Sequence, residues 1–278
     1  MNVLVTGASG IVGRAIFDEL GDSDAYSFTA LDVKEHPNSD VETVVASIAD
    51  YDAIRPAFHG VDAVIHLAVY PPGFIDENWE KIMEVNVTGT RNVLRAAADA
   101  EIESVIFAST NHVVGMYEQE FAPEIYDPDF ELTVDHTDPV RPDSTYGVSK
   151  LFNEHDGRFF LENNEYPKRF YSLRICSVRN SEYDHPYGDA EKGVDNGDWE
   201  RGSEDYERQV TRLKATWFSR RDLGQMVDRM LQDQSVTYDI FYGVSGNDGR
   251  WFDIDHARDM LGYDPEDNGT EWDEPPSS

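Results

Sequence analysis

A doubly wound parallel α/β sheet is the fold this chain encodes. Short apolar runs recur along it, helical patterns separate most of them, and the first run passes through a glycine turn straight into a helix. Alternation of this kind builds a parallel sheet covered on both faces, because each crossover between parallel strands carries a helix back over the sheet.

The first strand reads Asn2-Val3-Leu4-Val5-Thr6, and Gly7-Ala8-Ser9-Gly10-Ile11-Val12-Gly13 leads from it into an amphipathic run from Arg14 to Leu20. Glycines mark turns everywhere, so position decides. Between a first strand and a first helix, backbone amides and the helix N-terminus face a pyrophosphate. The pattern predicts a Rossmann-type dinucleotide site, with Gly7, Ser9, Gly10, Ile11, Val12 and Gly13 as its phosphate loop. The second strand, Phe28 to Leu31, ends at Asp32. That is about twenty residues past the turn, where a carboxylate accepts hydrogen bonds from an adenosine ribose diol. A 2′-phosphate would meet Asp32 as a like charge, which favours NAD over NADP; Lys34 is the neighbouring residue that would suit NADP. The third run, Val41 to Ala46, leads to Ser47-Ile48, beside the adenine. The fourth, Val61 to Leu67, brings Leu67 and Ala68 against the cofactor, while His66 within it reads as a core histidine.

A helical pattern follows from Trp79 to Ala100, and then a fifth strand, Ser104 to Ala108, running into Ser109-Thr110-Asn111-His112. The next helix, Ser144 to Asn163, opens with Tyr146-Gly147-Val148-Ser149-Lys150. Positions i and i+4 share a helix face, so Tyr146 and Lys150 point the same way. A phenol titrates near 10 and needs a downward shift of roughly 2 to 3 units to act as a base near neutral pH, which a neighbouring ammonium and a nicotinamide cation would supply. Strands at Phe170 to Ile175 and Tyr238 to Tyr242 complete the sheet. Two stretches break the alternation and are expected to be long connections over the site: Tyr117 to Asp143 and the acidic insertion at 180–207. The expected organisation is an NAD-binding core with the catalytic group at 1–175, a smaller substrate-binding region at 176–262 that returns the chain to the sheet, and an acidic, frayed tail at 264–278.

Composition narrows the function classes. The chain has 278 residues, 55 Asp plus Glu against 23 Lys plus Arg, and a formal net charge of -32. The acids are interleaved with apolar periodic segments, which describes a folded core in an acidic shell. Such a surface is suited to molar salt, where the Debye length is about 3 Å, and it makes nucleic acid a poor partner. No run approaches the roughly 20 apolar residues of a membrane span. The single cysteine, Cys176, forms no internal disulfide and points to a reducing cytoplasm. No His-Glu-x-x-His or other ligand spacing suggests a metal.

Taken together, the glycine turn, the acid after the second strand, the hydroxyl after the fifth and the Tyr-x-x-x-Lys pair resemble the extended short-chain dehydrogenase/reductase family over essentially the whole chain. That resemblance implies Thr110, Tyr146 and Lys150 as the catalytic group, and Asn86 as a family asparagine whose bracing role is at least as strong a reading as a catalytic one. Ser109-Thr110-Asn111-His112, Tyr146 to Lys150, and Thr216-Trp217-Phe218-Ser219 preceded by Arg212 look most like the branch of uronate dehydrogenases and haloarchaeal L-arabinose or glucose-6-phosphate dehydrogenases. These oxidise the anomeric carbon of a cyclic sugar to a lactone. By the same resemblance, Asn111, His112, Ser177 and Arg212, with Thr110, hold the sugar. Two departures stand out: Ser47 replaces an expected acid, and the catalytic hydroxyl is Thr. The expected partner is a small sugar, in a homo-oligomer joined through the long helices. The alternative on the same scaffold is a nucleotide-sugar epimerase or dehydratase, with a non-enzymatic dinucleotide sensor a more distant third.

Overall fold

The structure is a computed structural model that describes residues 1–70 and 78–276. Ser277 and Ser278, the end of the acidic tail, lie outside the described residues. Strands β1 (Asn2–Thr6), β2 (Ser27–Asp32), β3 (Thr43–Val45), β4 (Ala63–His66), β5 (Ser104–Thr110), β6 (Arg169–Ile175) and β7 (Tyr238–Gly243) form one sheet ordered β3-β2-β1-β4-β5-β6-β7. All six pairings are parallel. The helices are α1 (Ile11–Leu20), α2 (Tyr51–Ile54), α3 (Trp79–Lys81), α4 (Thr90–Asp99), α5 (Gly115–Phe121), α6 (Thr145–Asn163), α7 (Gly188–Asn196), α8 (Glu204–Thr216), α9 (Arg220–Gln232) and α10 (Asp255–Leu261). The expected Rossmann-type sheet is therefore present, and its order reverses between β1 and β4, the switch point outside which ligands sit.

Strand periodicity explains the two cores. Along β1, Val3 and Val5 face one way and pack with Ala15, Ile16 and Phe17 of α1 and Met226 and Val227 of α9. Leu4 faces the other way, with Val64, Phe107, Phe170 and Val93, Leu94 and Ala97 of α4. Successive side chains on opposite faces, both apolar, are what a sheet covered on two sides requires.

Three expectations about the connections differ from the structure. The helical run from Trp79 is continuous but not uniform: Ile82–Gly89 winds as a π-helix between α3 and α4. Its wider turn places the Asn86 carbonyl where Asn153 Nδ2 of α6 donates to it at 2.7 Å. Of the stretches expected as loops, the acidic insertion is largely helical and the first is helical only in part. Residues 117–143 include most of α5 and a 3₁₀ turn at Glu124–Tyr126. The acidic insertion includes α7 and the first turn of α8, packed around Tyr187, Ala190, Tyr206 and Val210 with Val194, Trp199 and Trp272 against them. Its apolar residues recur every three or four positions beneath an acidic exterior, so composition masked a helical pattern. The tail, expected to fray, is docked as far as Trp272. Asp267 accepts from Ser219 Oγ at 2.6 Å and Arg221 Nη2 at 2.7 Å. The Gly269 amide donates to Asn247 Oδ1 at 2.7 Å, and the Trp272 carbonyl accepts from Lys214 Nζ. Among the described residues, no helix is long and apolar enough to cross a membrane.

Candidate active site

The glycine turn does what its position demands. Gly7 has φ +71°, and a Cβ there would lie 2.6 Å from the Ala68 amide nitrogen, so a side chain would close the gap between the β1 and β4 termini. Gly13 meets the Ala8 carbonyl as closely, which seats α1 against the turn. Gly10 is the N-cap of α1 and supplies no side-chain cap. The first-turn amides of Ile11, Val12 and Gly13 therefore have no partner inside the helix, as an anion site requires. Asp32, at the end of β2, accepts from the Ser9 amide at 2.9 Å through Oδ2, and the Ser9 hydroxyl donates to the Lys34 and Glu35 carbonyls. A cleft of about 470 Å³ is lined by Gly7, Gly10, Asp32, Lys34, Ser47, Ile48, Leu67 and Ala68 of the expected set, while Ser9, Ile11, Val12 and Gly13 do not line it. The Ile11 side chain is exposed and lines neither this cleft nor the cavity beside it, which leaves its amide as the group for a ligand.

His66 is a core residue, as expected. Its Nδ1 lies 2.6 Å from Thr6 Oγ1 and its Nε2 3.0 Å from Thr90 Oγ1; burial first, then the Lys150 charge, lowers its pKa to about 3. Asn86 braces. Its Oδ1 accepts from the Tyr70 amide at 2.7 Å, and its Nδ2 donates to the Tyr70 carbonyl at 3.4 Å and to Ser149 at 3.3 Å. It thus ties the segment after β4 to α6.

An adjoining cavity of about 690 Å³ shares Leu67 and Val69 with the first cleft and is lined by Val12, Thr110, Asn111, His112, Tyr146, Lys150, Ser177 and Arg212. All three expected catalytic residues and all the expected sugar contacts are together. Thr110 is the last residue of β5, where its Oγ1 accepts from the His112 amide at 3.2 Å and starts a 3₁₀ turn. Ser144 caps α6 through the Gly147 amide and thereby presents Tyr146 and Lys150 at its first two turns. Lys150 is buried, donates to the Ala108 carbonyl at 2.6 Å, and has its Nζ 5.8 Å from the Tyr146 ring. Burial lowers its pKa to about 7, against the opposing pull of Glu154. Burial raises the Tyr146 pKa. The expected downward shift is thus absent from the protein alone: loss of water raises the phenol, and the Lys150 amine is directed at a carbonyl.

His112 Nδ1 is 2.8 Å from Asp143 Oδ2. Burial opposes the Asp143 charge, but hydrogen bonds from His112 and Ser144 outweigh it and lower that pKa. Ser177 Oγ lies 3.0 Å from Thr216 Oγ1. Arg212, on α8, donates through Nε and Nη2 to the two oxygens of Glu118 on α5, at 2.7 and 3.3 Å. Sequence reasoning missed Glu118 and three lining residues, Arg179, Asp189 and Gln209. Arg179 and Asp189 form a two-pronged ion pair at 2.5 Å. They lie in and beside the acidic insertion, where no local motif distinguishes a pocket residue from a surface acid.

On the next turns of α6, Glu154 accepts from Ser109 Oγ at 2.5 Å and from Arg174 Nε and Nη2 at 3.0 and 2.9 Å. Arg174 Nη1 reaches Tyr242 at 2.9 Å. Away from both clefts, His136, Asp239 and His256 bring ligand-type atoms within 4.8 Å of one another. The two imidazoles stack at 3.9 Å and 19°, and lone pairs in nearly parallel planes that far apart do not converge on one ion.

A reversed parallel sheet, a glycine turn beneath an uncapped helix and a Thr/Tyr/Lys group in the adjoining cavity define a dinucleotide-dependent enzyme of the short-chain dehydrogenase type. The chain belongs to the NAD dependent epimerase/dehydratase family, whose model matches residues 3–191. It is 36% identical to the NAD-dependent glucose-6-phosphate dehydrogenase of Haloferax volcanii over 97% of this chain and 95% of that protein. It is 34% identical to the L-arabinose 1-dehydrogenase (NAD(P)(+)) of the same organism over 96% of each chain. The crystal structure of uronate dehydrogenase from Agrobacterium tumefaciens superposes with a TM-score of 0.75 at 25% identity, covering 99% of this chain and 91% of that one.

Proposed function

We propose that this protein is an NAD(P)-dependent aldose 1-dehydrogenase, oxidising the anomeric carbon of a cyclic sugar to a lactone. The observation that carries the reading is the convergence of Thr110, Tyr146 and Lys150 on one cavity continuous with the cleft under the glycine turn. The relatives just named, whose names give a sugar phosphate, a pentose and a uronate as substrates, support the same reaction class.

NAD fits the residues present. The α1 amides would hold its pyrophosphate, Asp32 a ribose diol, and Ser47 and Ile48 the adenine, with Leu67 and Ala68 along the nicotinamide half. When bound, the oxidised nicotinamide supplies the electron-pair acceptor and a positive charge beside the cavity. Tyr146 takes the proton of the C1 hydroxyl. Thr110 orients that oxygen, and Lys150 steadies the ribose and favours the phenolate of Tyr146. Asn111, His112, Ser177 and Arg212 hold the ring hydroxyls. Asp32 opposes a 2′-phosphate, so NAD is preferred. In this reading residues 1–175 carry cofactor and chemistry and residues 176–262 carry the sugar, in a cytoplasmic enzyme.

Tyr146→Phe tests the assignment. It should bind NAD like the wild type and turn over a sugar panel at least about a hundredfold more slowly in molar KCl, because a general base contributes roughly 10² to 10⁴. Retained turnover refutes the role. The reading extends to a homodimer through the long helices: Val148, Phe152 and Phe159 form an exposed apolar stripe on α6, with Trp79 and Met83 exposed on the preceding helical run. Sedimentation should give a dimer that Phe152→Glu with Phe159→Glu dissociates; a monomeric wild type refutes it.

A further inference from the structure

Both arginines at the sugar cavity are already held by carboxylates of the chain. Arg179 commits Nε and Nη2 to Asp189 and Nη1 to the Val178 carbonyl. Arg212 commits Nε and Nη2 to Glu118, whose Oε1 also accepts from Tyr126 at 2.7 Å. His112 is paired with Asp143, and Lys150 is turned to the Ala108 carbonyl. An anionic substituent reaching either arginine would lose its water without gaining an unpaired guanidinium, and would lie beside the carboxylate that already holds it. A hydroxyl needs only donors and acceptors, which Asn111, Ser177, Gln209 and the remaining Nη1 of Arg212 offer.

Resting on the dehydrogenase reading, we propose that Glu118 and Asp189 are specificity-determining residues that close the two arginines and make this a site for neutral sugars, excluding uronates and sugar phosphates. Glu118 holds an arginine that would otherwise be a ready fork for a carboxylate or phosphate. Asp189 does the same from the acidic insertion, which gives that insertion a function at the pocket.

The test compares sugars that differ at C6: D-galactose against D-galacturonate, and D-glucose against D-glucuronate and glucose 6-phosphate. Two arms separate this inference from the reading beneath it. Turnover in molar KCl tests the dehydrogenase reading, since oxidation of none of these sugars refutes that reading. Calorimetric binding to the Tyr146→Phe protein with NAD, which needs no turnover, tests the inference. Neutral sugars should bind at least about tenfold more tightly than their anionic counterparts. Adding Glu118→Gln or Asp189→Asn should narrow that ratio about tenfold or more by strengthening the anions, a change that loss of fold would not produce. An anionic sugar bound as tightly as its neutral counterpart, no binding of any neutral sugar, or a ratio unmoved in both variants overturns the proposal.

Discussion

Glu154→Gln removes one charge from the most deeply buried ion pair in the described structure and keeps the side chain's size. The Glu154 and Arg174 side chains are 1% and 2% exposed. Burial works against the Arg174 charge, and the hydrogen bonds it donates to Glu154, with that carboxylate's charge, more than restore it, so its pKa is raised. Glutamine leaves a buried guanidinium uncompensated, a change worth about 3–5 kcal/mol, or roughly two to four orders of magnitude in the folding equilibrium. A second effect follows at Lys150, whose pKa burial has lowered to about 7 while Glu154 pulls it up. A lysine with a depressed folded pKa binds fewer protons folded than unfolded, so stability rises with pH from about 7 toward the ordinary lysine value of 10.5. Without Glu154 that window opens below 7, and the cost at neutral pH grows. Urea unfolding in molar KCl, followed by tryptophan fluorescence from pH 6 to 9.5, reads both effects. A variant within about 1 kcal/mol of wild type at pH 7 would refute the reasoning about the pair, since partner removal should cost several-fold more. An unchanged slope with pH would show that Lys150 does not feel Glu154.

Two further substitutions probe the scaffold. Gly7→Ala forces a side chain into φ +71° with its Cβ 2.6 Å from the Ala68 nitrogen; it should cost about 1–2 kcal/mol and weaken NAD binding tenfold or more. Melting curves and a calorimetric NAD titration check this, and wild-type affinity would show that the turn tolerates a side chain. Truncation after Tyr263 removes the amides of Glu266 and Asp267 that donate to the buried Asp222, along with Trp272. It should destabilise by about 2 kcal/mol or more, lowering Tm in molar KCl, whereas an unchanged Tm would mean the tail adheres without stabilising.

The strands were legible because each carries its own local signal: an apolar run of strand length bounded by turn residues. The cleft under the glycine turn was legible for a related reason, since most of its residues lie at or just past strand ends, and a parallel sheet brings successive strand ends to one edge. Tyr146 and Lys150 were legible from helix spacing. What escaped depends on packing between distant segments. Glu118 meets Arg212 across 94 residues, and nothing around Glu118 in the sequence distinguishes it from Glu120. In the π-helical turn around Asn86, the Asn86 carbonyl accepts from Asn153 Nδ2, a partner 67 residues away. The direction of the Tyr146 shift escaped because spacing reports which side chains share a face and is silent on how much water burial removes.

The acid excess also changes how arginines at a site should be weighed. In a protein with balanced charge, two guanidiniums lining a cavity argue for an anionic ligand, because burying a cation without a partner is costly. Here 55 acids surround 23 basic residues, so a carboxylate of the chain itself is the commonest partner an arginine can meet. Arg91, Arg169 and Arg220, far from the catalytic group in sequence, each take one, as do Arg179 and Arg212 at the cavity. An arginine at this cavity is therefore evidence of an anionic substrate only when no acid of the chain already holds it. Both fail that condition, and the charge of the substrate has to be read from the completed pairs rather than from the arginines.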